Sequence, residues 1–182
     1  MRVPVKFLLA AALVAPFGLV APSLAGAAGG TSCAHSTGTA TFNPALPKSG
    51  STATVKPKIT VKAASVTSCT GGGVTSAKLN TTAKFHDATN CDILLNGTPG
   101  PHPPTGTITT TWNTGAKSTA KVKLNPVSGK PTQTHITGKI TAGLFLGLTV
   151  DQTIAFTPKQ GNCITSDLKS VTFSEVTPLK IG

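Results

Sequence analysis

Gly106-Thr107-Ile108-Thr109-Thr110-Thr111-Trp112, then Asn113-Thr114-Gly115, then Thr119-Ala120-Lys121-Val122-Lys123-Leu124, reads as two strands joined by a tight turn. Apolar side chains alternate with threonine or lysine at period two, the repeat of a half-buried strand rather than the 3.6 of a helix. Asn and Gly between the runs supply turn chemistry. The same grammar extends in both directions along the chain.

Upstream, Thr39 to Phe42, Thr54-Val55 into Ile59-Thr60-Val61, and Leu79 to Phe85 read as strands. Downstream, His135 to Thr141, Leu148 to Phe156 and Leu168 to Phe173 do the same. Turn signals at Pro47 to Gly50, Gly71 to Gly73, Asn96-Gly97, Ser128-Gly129 and Gly161-Asn162 separate them. No segment carries a helical period. About eight to ten short strands with turns every 8–12 residues argue a sandwich or a barrel.

Composition agrees. The chain has 182 residues with 31 Thr, and only 12% of it is charged, 4% aromatic and 38% hydrophobic. Threonine at that level favours strands. The hydrophobic fraction excludes a disordered polyelectrolyte, and 19 Gly with 14 Pro in no fixed period exclude collagen.

The N-terminus is a targeting segment. Arg2 and Lys6 precede the apolar run from Phe7 to Ala15, and Ala25-Gly26-Ala27 supplies small residues for cleavage. This is the layout of a secretory signal peptide over 1–27, too short and too interrupted for a spanning helix. The expected mature protein is 28–182, free outside the cytoplasmic membrane. Removing Arg2 and Lys6 from the +11 chain leaves 14 Lys against 5 acidic residues, a net +9 without any Arg.

Four cysteines in an oxidising compartment are most simply two disulfides, with three possible connectivities. Block order favours one of them. Cys33 is followed by Gly38-Thr39-Ala40-Thr41, Ser51 to Lys56, Cys69 and Val74 to Leu79. Cys91 is followed by Gly106-Thr107-Ile108-Thr109, Ser118 to Lys123, Cys163 and Ile164 to Leu168. An internal duplication, with halves 33–90 and 91–182, would pair Cys33 with Cys69 and Cys91 with Cys163. Each closed loop would contribute ~4 kcal/mol. The halves would form the two layers of a sandwich or two small subdomains.

Catalytic signals are sparse. His86-Asp87, with Asp92 close behind, is the one candidate acid–base pair, for a small hydrolase. No G-x-S-x-G elbow, H-E-x-x-H helix or metal-ligand spacing occurs, so no cofactor or metal is expected. The lysines stand singly on alternating positions, as solvent-facing residues and edge protection require. Attraction to anionic envelope polymers or lipid headgroups outside the cell is the functional alternative. Nucleic acid is not expected, since the mature chain has no Arg forks and a single Trp for stacking.

Two segments are candidate contact surfaces. His102 sits in the stiff run 99–104, and Leu144, Phe145 and Leu146 form a consecutive apolar stretch flanked by Gly143 and Gly147. The latter reads as a strand buried on both sides or, with one face exposed, as an interface.

In the order of four motifs the chain resembles a group of small secreted β-sandwich proteins of actinobacteria with no assigned function. The motifs are Cys33 before Gly38 to Phe42, Asn90-Cys91-Asp92-Ile93-Leu94-Leu95-Asn96-Gly97, Thr107 to Asn113, and Gly143 to Gly147. The resemblance implies secretion and a sandwich, and transfers no site. The expectation is therefore an immunoglobulin-like antiparallel β-sandwich of about 8–10 strands with two disulfides. Its expected role is a non-catalytic extracellular or envelope-associated interaction domain, with unknown protein or envelope partners. Inhibition of an extracellular enzyme through the His102 loop is the alternative.

Overall fold

The structure, a computed structural model, describes residues 29–96 and 101–182. The expected signal peptide lies outside the described residues. Nine strands follow in chain order: β1 (Thr31–Leu46), β2 (Lys58–Thr70), β3 (Ala77–Lys84), β4 (Thr105–Trp112), β5 (Lys117–Val127), β6 (Lys130–Gly143), β7 (Thr149–Gln160), β8 (Leu168–Glu175) and β9 (Leu179–Ile181). One short helix, α1 (Cys91–Leu95), lies between β3 and β4. Each strand predicted from the alternation has its counterpart among β1 to β8. Thr54-Val55 falls instead in the connection before β2.

The expected sandwich is not formed. Every strand from β1 to β8 pairs antiparallel with the next, and β8 pairs back onto β1. The result is a closed, up-and-down, eight-stranded barrel with one extra strand. β9 fills the row that β8 leaves: it pairs with Thr31 to Cys33 of β1 and with Val150 and Asp151 of β7.

Closure has a local cause. The ladder between β1 and β2 shifts register between Thr37 and Ala40, and that between β2 and β3 between Val61 and Ala64. Ala63 takes φ +49°, which turns its amide out of the ladder, and Asn80 Oδ1 accepts that N–H at 3.0 Å. Such bulges bend and twist a strand. β1 and β2 therefore coil until the sheet meets itself, where two flat layers would each have kept free edges.

The duplication has no structural counterpart. Ser51 to Lys56 is a connection apart from a single bridge at Val55, whereas Ser118 to Lys123 is the body of β5. Cys69 lies in β2, whereas Cys163 lies in the loop before β8. The expected disulfides nevertheless form, Cys33–Cys69 and Cys91–Cys163, closing separations of 36 and 72 residues.

The two ends of the barrel differ. At one end Trp112 is buried (2% exposed), and its Nε1 donates to Ser118 Oγ at 2.8 Å. Ser118 Oγ in turn donates to the Leu144 carbonyl at 2.6 Å. Cys33–Cys69 and β9 lie at this end too. The apolar stretch expected as a strand at 143–148 is instead the β6–β7 turn. Gly143, Phe145 and Gly147 all have positive φ there, which drops the Phe145 ring into the barrel and leaves Leu146 65% exposed.

The opposite end carries α1. Asn90 caps it, accepting the Ile93 N–H at 3.0 Å. The Asn90 side-chain nitrogen donates to the Ser51 and Ala53 carbonyls at 3.2 and 3.4 Å. Asp92 Oδ2 accepts from Gly50 N at 2.8 Å, and Cys91 N donates to the Pro47 carbonyl at 2.9 Å. With Cys91–Cys163, these bonds strap the helix to the β1–β2 and β7–β8 connections.

Candidate functional site

Inward-facing residues alternate with outward ones on every strand, so the apolar half of the sequence pattern converges on the barrel axis. The axis is not completely filled. A cavity of about 130 Å³ runs from mid-barrel toward the α1 end. Its inner wall is Ala40, Val61, Ala64, Leu79, Val122 and Val171. Nearer the mouth come Phe42, Phe85, Ile108, Leu124, Ile136 and Phe156, with Leu94 of α1 and Pro104 across the opening.

Small residues on the wall leave the space: Ala40 of β1 and Ala64 of β2 point inward. Beside them the Phe173 ring leans over Gly38 and fills the room its missing side chain leaves. A Cβ on Gly38 would stand 2.6 Å from the Phe173 ring and 2.7 Å from the Ala64 methyl. The Trp112–Phe145 pair closes the inner end, so the helix end is the one where the wall is half-buried rather than sealed.

Polar groups on the wall are few. Gln152 of β7 is 4% exposed, and its Nε2 donates to the buried Ser36 Oγ at 2.8 Å. Thr81 and Thr134 also reach the cavity. A space of this lining favours apolar contents, because a trapped water would find too few partners.

The residues singled out in the sequence lie outside this cavity. His86 Nε2 meets Thr105 Oγ1 at 2.7 Å, while Asp87 turns to His102. Adjacent in sequence, His86 and Asp87 thus have separate partners on the exposed rim. Asp87 Oδ2 accepts the His102 backbone N–H at 3.0 Å, and its Oδ1 lies 3.3 Å from the His102 ring. The backbone hydrogen bond from His102 holds the Asp87 carboxyl below the usual carboxylate range, with smaller help from the His102 side chain and Lys56 against partial desolvation. His102 is therefore tied to the β3 end of the rim. Phe145 plugs the far end, with Leu144 half-buried beside it.

Sequence reasoning misses the cavity. Its wall is assembled from strands far apart in the chain, and the inward alanines look like ordinary strand residues. The Asn90 cap followed by Ile93-Leu94-Leu95 is the one local signal for a lid.

No protein-family model, no curated protein and no solved structure matches the chain.

Proposed function

We propose that this protein is a non-catalytic, secreted binding protein that holds one small apolar molecule inside the barrel and admits it at the α1 end. The cavity carries the reading: an apolar space of about 130 Å³ in a barrel, closed by aromatic rings at one end and covered by a strapped helix at the other. Eight-stranded barrels are just wide enough for side chains or one small ligand. An apolar protein cavity of ~150 Å³ stays dry and takes up benzene or xenon. The ligand class is a single aromatic ring or a short alkyl chain. Two disulfides suit an extracellular setting. The split between His86 and Asp87 favours binding over hydrolysis.

The test is titration with toluene, followed by thermal unfolding and by methyl NMR shifts of Val122, Ile136 and Val171. Saturable binding should raise the unfolding free energy by RT ln(1 + [L]/Kd), about 2.7 kcal/mol at one hundred times Kd, and the midpoint with it. No saturable shift with toluene, benzene or hexane would end this reading.

A further inference from the structure

The lysines take on a new meaning once the sheet is closed. Edge protection explains them only while there are edges, and among β1 to β8 none remains. Their placement is uneven. Lys58 of β2 stands directly opposite Lys84 of β3, and the same row crosses Thr105 to reach Lys123 of β5. One row along, Lys121 of β5 stands opposite Lys139 of β6. Lys62, Lys78, Lys117 and Lys130 bring the exposed lysines on the strands β2 to β6 to nine.

The strands β2 to β6 contain no Asp or Glu. The five carboxylates lie elsewhere: Asp87, Asp92 and Asp167 in connections or α1, Asp151 on β7 and Glu175 on β8. Among the described residues the ion pairs are three, all from histidine: His35–Glu175, His102–Asp87 and His135–Asp151. No lysine in them is neutralised. Like charges directly opposite in a ladder destabilise it. Solubility alone would be served as well by dispersed charge, so two facing Lys–Lys pairs on a carboxylate-free wall call for a partner that relieves them.

We propose that the outer wall formed by β2 to β6 is a docking surface for a linear acidic polysaccharide outside the cell. The observations are independent of the cavity. Lysine heads supply point charges for sulfate, phosphate or carboxylate groups. Threonine hydroxyls between them, at Thr60, Thr82, Thr107, Thr109 and Thr119, supply hydrogen bonds for sugar oxygens. Nucleic acid fits the wall poorly. The mature region has no Arg for base edges, and its single Trp is buried inside the barrel.

The test uses heparin as the probe. The mature protein should bind it with an affinity that falls steeply with salt. Lys58→Gln/Lys84→Gln/Lys121→Gln should weaken binding about 100-fold, at roughly fivefold per lysine near an anionic surface. Lys159→Gln/Lys169→Gln/Lys180→Gln removes the same charge from β7, β8 and β9, and should cost less than about a fifth of that loss. The first variant should unfold at no lower temperature than the parent, since it relieves both repulsive pairs. Equal losses in the two variants would reduce the wall to net charge and overturn the proposal. So would failure to bind heparin at physiological salt, or tighter binding to duplex DNA or phosphatidylglycerol vesicles.

Discussion

Trp112 and Phe145 meet edge to face, with ring centroids 5.3 Å apart and planes at 82°, and together they stop one end of the barrel. Phe145 reaches that position only by adopting φ +65°, a left-handed conformation that a bulky residue takes at a cost. Ring packing must outweigh that strain. Phe145→Ser therefore loses the packing while retaining the strained backbone, and should destabilise the fold by about 3–5 kcal/mol. Leu146→Ser, one residue on but solvent-exposed, should change stability by less than about 0.5 kcal/mol. Urea unfolding of the two variants side by side checks the contrast.

Ser118 links the Trp112 N–H to the β6–β7 turn through one hydroxyl. Ser118→Ala strands a buried indole N–H, with an expected cost of about 1–3 kcal/mol. The Trp112 emission reports the change directly, because the chain has a single Trp and no Tyr. An unchanged unfolding midpoint would show that the hydrogen bond is dispensable.

Filling the cavity separates stability from binding. Val122→Phe places a ring where the apolar ligand would sit, at an overpacking cost of about 1–3 kcal/mol. The variant should stay folded yet lose toluene binding altogether. If it binds toluene with unchanged affinity, the ligand sits elsewhere.

The strands are legible in the sequence because period-two alternation records which side of a sheet each residue faces. Their closure is not. A sandwich layer and a barrel wall impose the same alternation, and the difference lies in whether β8 pairs with β1, about 130 residues away in sequence. Bulges decide it, and the bulge at Ala63 carries no glycine to announce it. Block order points to the correct disulfides although the blocks occupy unlike positions, so the pairing rests on proximity in the fold rather than on duplication. His86-Asp87 is legible as an adjacent polar pair, but only the fold shows that the two take different partners.

Cys91–Cys163 ties the lid helix to the β7–β8 connection, whereas Cys33–Cys69 joins strands already paired at the closed end. Replacing either pair with serine should cost about 2–5 kcal/mol. Only the Cys91→Ser/Cys163→Ser variant should speed toluene exchange, since of the two disulfides that one alone helps to hold Leu94 over the opening. NMR exchange rates measured well below each variant's unfolding midpoint distinguish the two. Equal acceleration in both would mean that exchange follows global unfolding rather than the helix.

Asp87 should give the rim a pH dependence in the acid range. The His102 backbone N–H holds its folded-state pKa below the unfolded value of about 3.9. A depressed carboxyl stabilises the fold above the unfolded value and loses that contribution as pH falls through the folded pKa. Asp87→Ala should accordingly be less stable than the parent at neutral pH. The gap should narrow once pH drops below about 4 and close when the parent carboxyl is protonated. Urea midpoints of both proteins between about pH 7 and about pH 2.5 trace the gap. A gap independent of pH would assign the Asp87 effect to packing, and would remove the carboxylate–amide bond as the tie between His102 and the β3 end.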